Sequence, residues 1–144
     1  MHRFLIVAVL FLTFAASAAD KIVKVLPFLL DTQGRIATSP SLFERDAYQA
    51  YLRQHTNEIS GLRYDVLCHA GEKLKLRLEL RGVGENNIPK LKTIETEVAA
   101  GAVENWTQLK LAGDDYRSFG AVTAWRATLL NGDAQLGEQK SFLW

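Results

Sequence analysis

The one cysteine of the chain, Cys68, is followed directly by His69. In a thiol enzyme such a neighbour lets an imidazole take the proton from a nucleophilic sulfur. The flanking residues argue against that chemistry here. Leu62, Tyr64, Val66 and Cys68 alternate with Arg63, Asp65, Leu67 and His69, and successive side chains of an extended strand point to opposite faces. Cys68 is therefore expected inward, as a quiet core residue, and His69 outward near the strand end. His55 and His69 are the only histidines beyond residue 2, and neither sits in a His-x-x-x-His or Cys-x-x-Cys spacing. No metal site and no cofactor are expected.

Other residues of chemical interest meet a similar fate. Gly82-Val83-Gly84 resembles a phosphate loop only superficially, because Pro89 and a further strand follow where an anion-binding helix would have to begin. It reads as a hairpin loop. No Gly-x-Ser-x-Gly places a serine nucleophile. Glu95 and Glu97 would suit glycoside hydrolysis as a pair, and Asp114-Asp115 would suit calcium. The glutamates alternate with Ile94, Thr96 and Val98, which makes them solvated groups on the outward face of a strand. Adjacent aspartates are ordinary turn residues. Asn105-Trp106-Thr107 satisfies the N-glycosylation pattern, which matters only where the host modifies such sites.

The elements that must carry these residues follow a short leader. Met1-His2-Arg3 precedes an apolar run from Phe4 to Phe14, and Ala15-Ala16-Ser17-Ala18-Ala19 supplies small residues before Asp20. This is the pattern of a secretory signal peptide over residues 1–19, cleaved after Ala18 or Ala19. The run is shorter than the roughly 20 apolar residues that span a bilayer. The remaining domain, residues 20–144, is expected to be periplasmic or secreted, with no transmembrane segment. Removing Arg3 takes the net charge from +1 to zero, which gives no electrostatic reason for a nucleic-acid partner. A lone cysteine cannot form an internal disulfide, so stability must come from core burial.

Asp20 to Asp31 reads as a first strand, closed by Asp31-Thr32-Gln33-Gly34. A helix is predicted from about residue 41 to 54: Ser41 and Glu44 have capping-box spacing, and Phe43, Ala47, Ala50 and Tyr51 form one apolar stripe. Beyond Gly61 the period becomes two. Strands are predicted at 62–69, 73–81, 91–98, 106–111, 119–130 and 135–144, the last two joined at Asn131-Gly132. The aromatic C-terminus suggests an outer-membrane barrel strand, but such barrels need at least about eight strands with an apolar outer band. A final sandwich strand is the expectation.

Lys73, Lys75, Arg77 and Arg81 form a basic row. Partner strands account for it. In one antiparallel register of 73–81 with 91–98, Leu78 meets Ile94 and Leu74 meets Val98, while Arg77 meets Glu95 and Lys75 meets Glu97. A second hairpin, of 62–69 with 73–81, would place Asp65 beside Arg77 and Arg63 beside Glu79.

About seven strands in a chain of this length favour a mainly β, antiparallel sandwich with one inserted helix. Leu109-x-Leu111-x-Gly113-x-x-Tyr116, ahead of the strand at 119–130, is similar to the tyrosine-corner region of immunoglobulin and fibronectin type III-like sandwiches. The resemblance covers residues 62–144. It lacks the cysteine pair of immunoglobulin domains and adds a helix between the first two strands, and it implies architecture only.

The expected role is that of an exported, non-enzymatic module binding a protein or an envelope or extracellular component. One alternative is a carbohydrate- or small-ligand-binding domain stacking its ligand on Trp106, Trp125 and Trp144. Another is a hydrolase with an unrecognised site. Recognition is expected on the helix, where Tyr48 and Leu52 lie apart from the stripe and are flanked by Arg45 and Arg53. The competing expectation is that Tyr48 and Leu52 pack under the connection after Gln54, or that the helix covers a sheet edge.

Overall fold

The computed structural model describes residues 19–144; residues 1–18 of the expected leader lie outside the described residues. Seven strands and two helices follow in the order β1 (Lys21–Asp31), α1 (Leu42–Gln54), β2 (Ile59–His69), β3 (Leu74–Val83), β4 (Pro89–Val98), β5 (Asn105–Ala112), α2 (Gly113–Phe119), β6 (Ala121–Asn131) and β7 (Ala134–Lys140). All pairings are antiparallel, in a three-stranded sheet β1-β2-β5 and a four-stranded sheet β4-β3-β6-β7.

The inward rows form the core between the sheets. Tyr64, Val66 and Cys68 of β2 face the leucine row Leu74, Leu76, Leu78 and Leu80 of β3, joined by Leu109, Leu111, Ala127 and Leu129. This burial is the main source of stability. Gly120, at φ 92°, turns α2 into β6, where an added Cβ would lie 2.5 Å from the Val83 carbonyl oxygen. That position requires glycine.

The register expected for 73–81 with 91–98 is the one observed: Leu74 opposes Val98, Lys75 Glu97, Arg77 Glu95 and Leu78 Ile94. The Arg77 Nε–H donates to Glu95 at 2.7 Å, while the lysines reach diagonally, Lys75 to Glu95 at 3.3 Å and Lys73 to Glu97 at 2.9 Å. Hydrogen bonds from Arg77 and Lys75 hold the Glu95 carboxyl below its ordinary pKa. Exchanging the charges, Arg77→Glu with Glu95→Arg, is expected to leave a higher Tm than either single change; equal additive losses would remove this pair from the register's determinants.

The hairpin of 62–69 with 73–81 does not form. β2 and β3 belong to different sheets, and the turn between them carries the chain across the sandwich. Both strands bear an unbroken inward row, and stacking those rows face to face buries both at once. The outward charges find other partners: Arg63 pairs with Asp65 on its own strand, and Arg126 with Glu79. Three further boundaries differ. Residues 113–119 form α2, from which Tyr116 packs its ring against the core. Phe119 belongs to that helix, and β7 ends at Lys140. The Ser141 N–H then donates to the Trp125 carbonyl at 2.9 Å, and the Ser141 hydroxyl accepts the Trp125 N–H at 3.0 Å.

Ser41 caps α1 as its spacing predicts, accepting the Glu44 N–H at 3.4 Å; the Glu44 carboxylate turns to the Ser39 hydroxyl. The docking face is not the predicted one. Phe43, Ala47, Ala50 and Tyr51 face solvent, Phe43 being 84% exposed, whereas Gln49 and Leu52 are buried. The reason is the free edge of β1. The Gln49 amide accepts the Leu29 N–H at 2.7 Å and donates to the Leu29 and Ile36 carbonyls at 2.9 and 2.8 Å. One side chain thus does the work of a neighbouring strand. Tyr48 donates its hydroxyl to Asp31 at 2.7 Å. Polar groups fix this face, and a reading of apolar periodicity cannot register them.

Candidate functional site

The outer face of the three-stranded sheet carries the strongest candidate. Pairing aligns Leu26, Asp65 and Gln108 in one row across the sheet, and Phe28, Arg63 and Lys110 in the next. Phe28, Leu30 and Leu52 are buried but stand outside the core between the sheets, because α1 covers this end of the outer face. Where the cover stops, a cleft of about 370 Å³ opens, lined by Leu26, Phe28, Arg45, Asp65, Trp106 and Gln108.

Each charged group at the cleft is held by a partner. Arg63 grips Asp65 with two hydrogen bonds of 2.6 and 2.7 Å, which raise the Arg63 pKa and keep it charged. Arg45 bonds Asp46 at 2.9 and 3.0 Å, and its guanidinium lies 5.0 Å from the Phe28 ring centre. Trp106 is 51% exposed. The combination is an accessible indole beside a carboxylate, an amide and a guanidinium, a surface able to stack a flat or apolar group and hydrogen-bond its periphery.

This cleft joins Arg45 and Trp106, which the sequence places in separate hypotheses. The remaining sequence candidates are dispersed. Leu52 is fully buried and offers no surface to a partner, so the expected exposed pair with Tyr48 does not exist; Tyr48 is half-buried on Asp31. Arg53 lines a smaller groove with Pro27, Gln49 and Leu62. The three indoles lie in three different parts of the fold. Trp125 packs edge-on against Tyr64 inside the sandwich, with ring centres 6.3 Å apart. Trp144 sits on the outer face of the other sheet, its ring 3.9 Å from the Arg81 guanidinium and 4.7 Å from that of Arg126. They make no common platform.

Cys68 and His69 part as strand alternation requires, but His69 is buried rather than exposed, and its Nδ1 has no hydrogen-bond partner. Burial pushes the Cys68 thiol up to about 11. Thiol reagents are accordingly expected to label Cys68 only on unfolding, and Cys68→Ala to cost about 1–2 kcal/mol through lost packing. Labelling of the folded protein at the unfolded rate would contradict both the burial and the raised pKa.

Glu95 and Glu97 are engaged by lysine and arginine, Asp115 lies 3.4 Å from Lys92, and Asp114 bonds Arg117. Asn105 stands exposed at the start of β5. Among the described residues no group of three or more His, Cys, Asp or Glu is placed to hold a metal ion, and no helix is long and apolar enough to cross a membrane.

Sequence reasoning missed Leu26, Phe28, Asp65 and Gln108 as cleft residues. One signal was present. β1 is apolar on both faces, with Leu26, Phe28 and Leu30 opposite the inward Val25 and Leu29, and a strand apolar on both faces needs a cover on each. No protein family, curated protein or solved structure matches this chain.

Proposed function

We propose that this chain is an exported, non-enzymatic β-sandwich module that binds a protein or an envelope or extracellular component through the Trp106 cleft. The single observation that carries the reading is a half-exposed tryptophan set among fixed polar groups in an open cleft, where most large aromatic side chains would be buried. The leader pattern of residues 1–19 supports export to the periplasm or beyond. The strand order 1-2-5 against 4-3-6-7, in which the chain changes sheet after its second, fourth and fifth strands, supports the immunoglobulin/fibronectin type III-like architecture. The carbohydrate alternative draws on the same cleft, since Asp65, Gln108 and Arg45 can bond hydroxyls around a ring stacked on Trp106.

The test is retention of residues 20–144 by envelope, extracellular-polysaccharide and secreted-protein fractions of the source cells, compared with Trp106→Ala. One fraction is expected to retain the parent protein and to lose on the order of tenfold or more affinity for the variant. Equal retention of both proteins would remove Trp106 from recognition. Retention by the polysaccharide fraction alone would select the carbohydrate reading.

A further inference from the structure

The four edge strands of the two sheets are protected unequally. The free edge of β1 is closed twice: the Gln49 amide bonds Leu29, and the Gln139 amide of β7 donates to the Ile22 and Val23 carbonyls at 3.1 and 3.0 Å. The same contact ties β7, the edge of the other sheet, against β1. β4 opens with Pro89 and carries Lys90, Lys92, Glu95 and Glu97, the charges and proline that discourage strand addition. β5 has none of this protection. It pairs with β2 over eight residues without a bulge, it bears one charge, Lys110, and Trp106, Gln108 and Lys110 are all exposed. Among the described residues, no side chain bonds the backbone of 106–111.

We infer that β5 is a strand-pairing surface for a second copy of this chain, joined antiparallel about a two-fold axis through Gln108. An unprotected, regular edge presents a row of N–H and C=O groups that another extended strand satisfies. The choice of a second copy rests on self-complementarity. A two-fold axis at Gln108 stays within the strand, from Asn105 to Leu111, and keeps each face matched to its like. On the outer face Lys110 of one copy meets Trp106 of the other, a cation beside an indole. On the inner face Thr107 meets Leu109, and no like charges oppose each other. The two three-stranded sheets become one of six strands, and each copy places a lysine at the rim of the other's cleft. This inference stands whether or not the cleft binds the ligand proposed above.

Gln108 is the one position that meets itself, and this makes the proposal testable. Residues 20–144 are expected to sediment as a concentration-dependent dimer. Gln108→Lys and Gln108→Glu each bring like charges together at the axis and are expected to weaken dimerisation on the order of tenfold. A mixture of the two variants is expected to recover it as a heterodimer. Gln108→Cys is expected to oxidise to a covalent dimer, because opposed residues of an antiparallel pair lie within disulfide reach; Thr93→Cys on the edge of β4 is expected not to, and buried Cys68 does not interfere. A protein that sediments as a monomer at every concentration overturns the proposal and leaves the β5 edge to a foreign extended segment. A dimer indifferent to charge at Gln108 overturns it equally, by placing the contact elsewhere.

Discussion

Truncating Leu52 to alanine is expected to destabilise the protein by about 2–5 kcal/mol, the range for removing a fully buried leucine side chain. Leu52 is 0% exposed and is buried, with Phe28 and Leu30, outside the main core. The loss would fall on the docking of α1 to the outer face of β1. Phe43→Ala is the informative control. Phe43 belongs to the stripe that periodicity assigns to the core, yet it stands in solvent, and its truncation is expected to change stability by no more than about 0.5 kcal/mol. Denaturant unfolding of the two variants decides between the faces. A stable Leu52 variant beside a strongly destabilised Phe43 variant would mean that the helix docks the other way round.

Acidification is expected to weaken the same region through Asp31. Its side chain is 4% exposed and receives the backbone N–H groups of Gln33 and Arg35, both at 2.9 Å, the Tyr48 hydroxyl at 2.7 Å and the Arg35 guanidinium at 3.0 Å. Burial alone would raise its pKa, but the bonds from Arg35, Tyr48 and Gln33 together outweigh burial and hold the carboxyl below its ordinary value of 3.8. The sign follows from linkage. Because the folded-state pKa lies below the unfolded one, the stabilisation is complete above the ordinary carboxylate range. It is lost as pH falls through 3.8 and on through the folded-state value.

Asp31→Ala is expected to cost about 1.5–3 kcal/mol at neutral pH, the worth of hydrogen bonds to a charged group. Arg35 is itself 47% exposed and remains solvated, so the cost falls mainly on the turn after β1 and on Tyr48. Asp31→Asn is expected to flatten the acid limb of the stability curve. An acid limb identical in parent and Asn variant would assign the pH dependence to other groups.

The β3–β4 register was legible because two independent patterns agreed on it: the leucine face and the acid–base face demanded the same pairing. The β2–β3 hairpin was the less secure of the two, since an immunoglobulin-like topology puts those strands in different sheets, and it does not form. Charge matching between Arg63, Asp65, Arg77 and Glu79 is satisfied as well within one strand, or by Arg126 from a strand distant in sequence, so it carries no information about adjacency. Short connections favour neighbours in space, but a turn of four residues reaches across a sandwich as readily as along a sheet.

The candidate cleft was less legible still. Trp106 and Arg45 were visible as residues of interest, but one arrives on β5 and the other on α1. Only the docking of the helix brings them to one rim. That docking is decided by Gln49 on the open edge of β1 and by Tyr48 on Asp31, contacts between residues 17 and 20 positions apart whose polar character hid them from a search for apolar stripes.

By itself, then, the sequence determined what depends on neighbours along the chain: the alternation that turns Cys68 inward, the Ser41 cap that starts α1, the two-residue period of the strands and the register of one hairpin. Those features rest on local sterics, capping and period, which a short window contains. Only the tertiary structure decided which sheet each strand joins, which face of α1 is buried, why His69 is covered and which residues meet Trp106. Those outcomes depend on how unpaired backbone edges and apolar faces find cover from segments far away in sequence. A short window of sequence does not contain those segments, and only the assembled fold brings them together.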